Sequence, residues 1–399
     1  MEREDFIRLA GQAGQALLAK IDYSSSTDVL ALVSKLRSEG HDPATVAAVL
    51  TQAKLRKRAK AKFGEFADQM LFTEEGLEQA SRLKVAALHA GRFRSAGIEQ
   101  VADLGCGIGS EAMALASLGI DVHAVEIDEV AAAIATYNLA PFENATVEIA
   151  DVEQMDLSRF EALFFDPARR DLTGPKRASA QRHFDPVHYS PNYNFCIEAA
   201  KTKPTGIKLG PGHDKRQIPE DCEAQWISVD GDLVELGLWF GKVAREKIAR
   251  SALLIDQNGQ QEITSSETES ANAPLGELGS YVYEPDNSLI RSRLIADFAE
   301  PLGLSLISPE IAYLSSDEKI FSPWLKGYEV IDNLVFDRKK LKAYVRENNI
   351  GILEIKKRGS DISPEELRKE LSPKGEGAAT LVVTRVGDAH RVLVTQPIK

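Results

Sequence analysis

Val101-Ala102-Asp103-Leu104-Gly105-Cys106-Gly107-Ile108-Gly109-Ser110-Glu111 decides the fold. An apolar run ends in three glycines at alternate positions, and a helix-forming run, Glu111-Ala112-Met113-Ala114-Leu115-Ala116, follows. Alternating glycines at a strand-to-helix turn let a ligand approach backbone that any Cβ would block. A dinucleotide site wants Gly-x-Gly-x-x-Gly. Here the third glycine comes one residue early, at Gly109, and Ser110 stands where that pattern has glycine. Asp103, two residues before the first glycine, would repel pyrophosphate and suits a ligand with an ammonium or sulfonium group.

Working outward, a helix from Ser110 to about Leu118 is capped by Gly119. A second buried strand, Asp121 to Val125, ends in Glu126-Ile127-Asp128. An acidic side chain at that strand end is placed to accept hydrogen bonds from ribose hydroxyls, with Glu126 the first candidate and Asp128 the second. A crossover helix spans Glu129 to Asn138, and a third strand, Ala145 to Ala150, ends at Asp151. The fourth, Glu161 to Phe165, ends in Asp166-Pro167-Ala168-Arg169-Arg170, and the fifth is Thr205 to Leu209. Ala224 to Val229 and Leu233 to Phe240 flank Asp230-Gly231, a type I′ hairpin signal.

The pattern Asp-x-Gly-x-Gly-x-Gly at Asp103–Gly109 resembles motif I of class I S-adenosylmethionine-dependent methyltransferases. The resemblance implies an α/β fold, a Rossmann-like doubly wound sheet closing in an antiparallel hairpin, with S-adenosylmethionine as cofactor. Gly105, Gly107 and Gly109 would admit it, Asp103 would lie near its amino-acid moiety, and Asp151 would contact the adenine amine. Asp166-Pro167-Ala168-Arg169 falls where this family keeps motif IV. The amino-methyltransferases carry Asp/Asn-Pro-Pro-Tyr/Phe there; here Asp166 and Pro167 match, Ala168 replaces the second proline and Arg169 the aromatic. The RNA 5-methyluridine enzymes have Asp-Pro-Pro-Arg, which is closer, but they also need a cysteine in a later Ser-Cys-Asn-Pro motif that this chain lacks. Asp166 and Pro167 are the catalytic candidates, Asp166 to orient or deprotonate the acceptor.

The chain has 399 residues, enough for two or three domains, with 43% hydrophobic and 27% charged residues, as in a soluble globular protein. A formal net charge of −12 argues against a general nucleic-acid coat protein but leaves room for a local basic groove. Cys106, Cys196 and Cys222 are spaced for neither a disulfide framework nor a zinc site, and His183, His188 and His213 share no metal-ligand spacing, so no metal is expected. Cys106 fits the glycine loop as a small packing residue, and Cys196 reads as core. No apolar run approaches the ~18–20 residues of a membrane span, and the polar N-terminus is no signal peptide. A cytoplasmic, reduced protein with no membrane contact is expected.

Residues 1–95 read as a helical domain, with Ser26 or Thr27 capping one helix, Asp42-Pro43 opening another, and Thr73 capping a helix that runs to about Ala90. Six of the ten residues from Lys54 to Phe63 are basic. Lys54, Arg56, Lys57 and Arg58 either form a solvated helix face or track a sugar-phosphate backbone. Arg169 and Arg170, with Lys176, Arg177 and Arg182, make the rim after Asp166 basic, suited to substrate phosphates or to internal ion pairs. Tyr189 and Tyr193 could stack on a base or pack in the core.

Residues 96–245 form the methyltransferase domain. Residues 246–330 read as a separate β-rich connecting segment with a hairpin at Asn258-Gly259, a polar linker from Ser265 to Asn272, and a helix from Ser288 to Ala299. Residues 331–399 carry a helix at Lys339–Asn348, a strand at Gly351–Gly359, a helix opened by Ser363-Pro364, and paired strands around Gly387-Asp388. This tail resembles the α+β THUMP-like domain that follows a class I methyltransferase domain in a bacterial family. True THUMP domains dock RNA, mainly tRNA. The combined expectation is a methyltransferase acting on a base of structured RNA. Its rivals are a methyltransferase for a protein or small molecule, and a non-catalytic module that binds S-adenosylmethionine and RNA.

Overall fold

The structure, a computed structural model, describes residues 1–24, 26–167, 189–269 and 272–398. Arg169 and Arg170, like Ala168, Lys176, Arg177, Arg182, His183 and His188, lie outside the described residues. The chain divides into two compact units, Met1–Leu209 with Leu238–Arg245, and Gly210–Gly237 with Glu246–Lys399.

The first unit opens with α1 (Arg3–Ala10), α2 (Gln12–Leu18), α3 (Val29–Ser38) and α4 (Pro43–Phe63). Asp28, not Ser26 or Thr27, caps α3, accepting the Ala31 N–H at 3.0 Å, while the Thr27 hydroxyl accepts from the Ser24 N–H instead. Asp42 caps α4, with Pro43 in its first turn. Thr73 caps α5 (Glu74–Gln79), but this helix stops early and α6 (Leu83–Ser95) starts afresh. The break follows from Lys62, whose ammonium donates to the carbonyls of Leu77, Glu78 and Ala80 at 2.8, 2.8 and 2.7 Å. Those carbonyls are satisfied without a further helical turn.

The sheet of this unit contains β1 (Gln100–Leu104), β2 (Asp121–Glu126), β3 (Ala145–Ile149), β4 (Ala162–Phe165) and β5 (Thr205–Leu209). All pairs are parallel, in the order β3-β2-β1-β4-β5. The helix α7 (Ser110–Ser117) connects β1 to β2, α8 (Glu129–Leu139) connects β2 to β3, and α9 (Tyr193–Ala200) precedes β5. Val101 to Leu104 are all buried, as in the centre of a sheet covered on both faces. One hydrophobic core joins the N-terminal helices, through residues such as Leu17, Val49 and Phe93, to Val101, Ala112, Ile134 and Phe164 of the sheet region.

In the second unit β6 (Glu223–Val229) neighbours β7 (Asp232–Phe240), whose last residues, Leu238–Phe240, belong to the first unit and lie next to β5. Asp230 and Gly231 between them have φ of 53° and 83°, both positive as a type I′ turn requires. β6 also pairs in parallel with β8 (Arg250–Asp256), which pairs antiparallel with β9 (Gly259–Ser265). The connecting segment thus joins the hairpin strand directly. After β10 (Tyr281–Pro285), the expected helix over Ser288–Ala299 is two pieces, α10 (Asn287–Ser292) and α11 (Ile295–Ala299), parted at Arg293 with φ 59°.

A second sheet adds β11 (Ser305–Ser308), β12 (Ile311–Ser316), β13 (Leu325–Val335), β14 (Ile350–Lys357), β15 (Gly377–Val386) and β16 (Ala389–Pro397), in the order β11-β12-β10-β13-β16-β15-β14. Only β14 and β15 pair in parallel among its described ladders. The helices α12 (Arg338–Glu347) and α13 (Pro364–Leu371) share a core with these strands. Leu341 and Val345, like Leu367 and Leu371, sit four residues apart, so each helix buries one stripe. Each fully buried side chain of this kind contributes about 1.5–3 kcal/mol.

Candidate active site

The turn between β1 and α7 is held by its backbone. Gly105 and Cys106 donate to the Val125 carbonyl at 2.9 and 3.0 Å, and Gly109 donates to the Cys106 carbonyl at 2.9 Å. Gly105, Gly107 and Gly109 have φ of 87°, 56° and 86°, a region that side chains disfavour. A Cβ on Gly105 would come to 3.1 Å from the Asp166 carbonyl oxygen. A Cβ on Gly107 would meet no described atom within 4 Å, so open space begins there.

Glu126, at the end of β2, uses both carboxylate oxygens on this turn. Oε2 accepts the Gly107 N–H at 2.9 Å, and Oε1 accepts those of Ile127 and Asp128 at 2.9 Å each. A carboxylate offers about four lone-pair directions, so Glu126 is fixed in place with capacity left for a hydroxyl. Asp128 caps α8 instead, its Oδ1 accepting from Val130 and Ala131 at 3.1 and 2.8 Å. Asp151, exposed beyond β3, accepts the Glu153 N–H at 3.0 Å.

Behind the turn lie three carboxylates. Glu111 is buried against His89, Oε2 to Nδ1 3.2 Å. Burial works against its charge, yet His89 holds its pKa below the usual carboxylate value. Asp166 is bound by Lys208 of β5, Oδ2 to Nζ 2.7 Å. Asp103 is fully buried, and neither of its oxygens has a hydrogen-bond partner of good geometry among the described residues. Burial, then the charges of Glu111 and Asp166, push its pKa well above the ordinary value; the Ala112 N–H and Lys208 oppose this in smaller measure. Among the described residues two of the three acids have a basic partner and Asp103 has none, so a cationic group brought beside Asp103 would be favoured.

Lys208 escaped the sequence reading. Its Nζ also donates to the Gln79 carbonyl at 3.1 Å, which ties β5 to the end of α5. The available signal was a lysine inside the apolar strand Thr205–Leu209. Lys62 stands close by, its pKa pushed down to about 8 by burial, then by Lys208 and Arg82, while Glu78 and Asp166 pull the other way. Asn138 and Gln52 were also missed. The Asn138 side chain accepts the Leu71 N–H at 2.8 Å and donates to the carbonyls of Leu71 and Ile108 at 3.1 and 2.9 Å. The Gln52 amide binds both backbone groups of Phe72. Asn138 thus ties Leu71 to Ile108 of the glycine turn, and Gln52 ties Phe72 to α4.

The basic run on α4 divides by function. Arg56 donates to the Met70 carbonyl at 2.9 Å, Arg58 pairs with Glu74, Lys60 pairs with Asp68 at 2.9 Å, and Lys62 caps α5. Lys54 and Lys57 are exposed and make no ion pair among the described residues. Cys106, Cys196 and Cys222 are free and buried, and no described helix is long and apolar enough to cross a membrane.

Two proteins of Mycobacterium tuberculosis, strains CDC 1551 and H37Rv, each an uncharacterized S-adenosylmethionine-dependent methyltransferase, are 32% identical to this chain over 342 residues, covering 84% of this chain and 91% of each relative. The chain belongs to the S-adenosylmethionine-dependent methyltransferases. The crystal structure of a protein described as a methyltransferase, from Porphyromonas gingivalis W83, matches this methyltransferase over 100% of both chains with a TM-score of 0.71 at 20% identity, a shared fold. A family model described as THUMP domain-like covers residues 325–397, and a domain of unknown function covers residues 2–59.

S-adenosylmethionine fits the chemistry of the methyltransferase turn. It would bring an ammonium and a sulfonium, for which Asp103 has no competing cation among the described residues, and a Gly107 Cβ would meet no described atom within 4 Å. Gly107→Ala is therefore expected to cost the fold only about 1 kcal/mol for its positive φ, yet to weaken cofactor binding more than about tenfold, a loss above about 1.4 kcal/mol. Thermal melting and calorimetric titration of the same sample separate the two effects; a variant that binds like its parent would show that the cofactor does not pass Gly107.

Proposed function

We propose that this methyltransferase modifies a base in structured RNA, tRNA or rRNA, in the cytoplasm. The observation that carries the RNA reading is the THUMP domain-like match over residues 325–397. The helix α12 within it exposes Lys339, Lys340 and Lys342, none in an ion pair among the described residues. Lys54 and Lys57 on α4 offer a second exposed basic pair, and Arg169 and Arg170 follow the catalytic Asp166-Pro167 in sequence.

Bound S-adenosylmethionine supplies a methyl group already activated by its sulfonium. Asp103 would hold the ammonium of the amino-acid end, Glu126 a ribose hydroxyl, and Asp151 the adenine amine. Gly105, Gly107 and Gly109 leave the backbone bare for the approach. Asp166 orients or deprotonates the acceptor atom of a base flipped from its stack. Lys208 holds the Asp166 carboxylate and is a positioning residue. Alignment of acceptor and methyl group with exclusion of water can lower the barrier by up to ~7–11 kcal/mol.

The reading is tested by titrating full-length protein with a bulk tRNA fraction and with rRNA over a range of salt. Lys54→Gln/Lys57→Gln is expected to weaken binding and to flatten the salt dependence by roughly 0.7–0.9 per lost phosphate contact. Absence of RNA binding by the parent chain would overturn the reading and favour a protein or small-molecule acceptor.

A further inference from the structure

The second unit carries a cluster of cations that the methyl-transfer site does not use. Lys215 lies in the segment between β5 and β6, and its Nζ sits 5.7 Å from the centroid of the Trp226 ring. Arg291 of α10 is clipped to the same segment, Nε donating to the Pro211 carbonyl and Nη2 to the His213 carbonyl, both at 3.2 Å. Arg250 is buried on β8, directly across from Ala224 of β6. It donates from Nη1 to the Ser292 carbonyl at 2.6 Å and from Nε to the Glu267 carbonyl at 2.6 Å. Arg293, exposed in its left-handed turn after α10, completes the group.

The carbonyls that hold Arg291 fix its position without cancelling its charge. Three carboxylates act on the arginines of β8 and of the turn after α10. Glu269 is 3.7 Å from Arg293, and Asp297, Glu269 and Glu267 act on Arg250. Asp214, next to Lys215 in sequence, is taken by Arg216, Nε to Oδ1 3.0 Å. Lys215 makes no ion pair among the described residues. Burial, then Arg293, Arg291 and Arg250, push its pKa down to about 8 with no carboxylate opposing them. Four cations are gathered here in a chain of net charge −12, and Lys215 and Arg291 have no ion pair among the described residues. Such a group is relieved by an oxyanion with several acceptor atoms, and guanidinium forks match phosphate geometry.

We propose that Lys215, Arg291 and Arg293, backed by Arg250, form a phosphate-binding site, whose ligand is a phosphodiester of the RNA substrate or a free phosphate. The RNA source rests on the function proposed above; the oxyanion site itself does not.

The test uses the full chain and two probes, inorganic pyrophosphate and a bulk tRNA fraction. Acetylation of Lys215 by acetic anhydride across a pH series, read by peptide mass spectrometry, reports its ionisation. Its apparent pKa of about 8 is expected to rise by about one unit or more when the site is filled. Lys215→Gln and Arg293→Gln are each expected to weaken tRNA binding about tenfold, with the salt dependence reduced by roughly 0.7–0.9. Arg216→Gln, on the same segment but paired with Asp214, should bind as the parent does. A rise with tRNA and weakened binding by both variants assign the site to an RNA phosphodiester. A rise with pyrophosphate alone, the variants binding tRNA normally, assigns it to free phosphate. If neither probe moves Lys215 and the variants bind tRNA as the parent does, the site is overturned and the RNA reading stands. If the parent does not bind tRNA while pyrophosphate still raises Lys215, the RNA reading fails and the oxyanion site stands.

Discussion

Asp166→Ala is expected to lower kcat by about 10²–10⁴-fold, the range in which a positioned acid–base group contributes, and to leave S-adenosylmethionine affinity unchanged. The separation follows from geometry. Asp166 meets the glycine turn through its backbone carbonyl, 3.1 Å from where a Gly105 Cβ would stand, and alanine keeps that carbonyl. The side chain faces Lys208 instead, at 2.7 Å. Lys208→Met should lower kcat less than Asp166→Ala does, because the carboxylate remains but is no longer held. Lys208→Arg restores part of the loss, which a purely structural lysine would not require. Single-turnover methyl transfer together with calorimetric cofactor titration checks all three variants. Full turnover by Asp166→Ala with normal cofactor affinity would remove Asp166 from the chemistry.

The second large effect concerns Asp103, where stability and binding move in opposite directions. Its pKa in the cofactor-free protein is raised well above the ordinary carboxylate value. The folded chain therefore keeps a proton that the unfolded chain releases near pH 4. The stability tied to this group is complete below that pH and is lost as pH rises toward the folded-state pKa. Asp103→Asn removes the ionisable group, so at neutral pH it should stabilise the cofactor-free protein by about 1–3 kcal/mol and raise Tm by about 2–10 °C. The same change removes the partner of a cationic ligand and should weaken S-adenosylmethionine about 10- to 100-fold. In the parent, binding should release a proton from Asp103 and strengthen as pH rises above the ordinary carboxylate range. Titration in buffers of different ionisation enthalpy counts that proton. A pH-independent affinity and an unchanged Tm in Asp103→Asn would contradict the role.

The features legible in the sequence are the local ones. Three alternate glycines at Gly105–Gly109 permit the positive φ that this tight turn needs, and Asp-Gly at 230–231 sets its own turn, so both are found as expected. The place of Glu126 at the end of β2, bound to the glycine turn, was legible because it follows from the strand boundary. Lys208, Asn138 and Gln52 were not, because each acts on a chain segment distant in sequence: Lys208 on Asp166 and Gln79, Asn138 on Leu71, Gln52 on Phe72. A buried amide inside a helix leaves no mark on an apolar periodicity. The early end of α5 was hidden for the same reason, since Lys62 reaches it from α4. Composition likewise counts charges without their partners. Of the six basic residues between Lys54 and Phe63, four make internal bonds, and Lys54 and Lys57 make no ion pair among the described residues.

The most direct test is methyl transfer from tritiated S-adenosylmethionine to RNA from cells lacking this protein, fractionated by size, with total protein from the same cells as a parallel acceptor. Such RNA has not been modified already at the target base. The account predicts label in the tRNA or rRNA fraction, recovered in a single modified nucleoside after digestion and absent with Asp166→Ala. Label in protein alone, or no label in any fraction from a chain that binds S-adenosylmethionine, would contradict it.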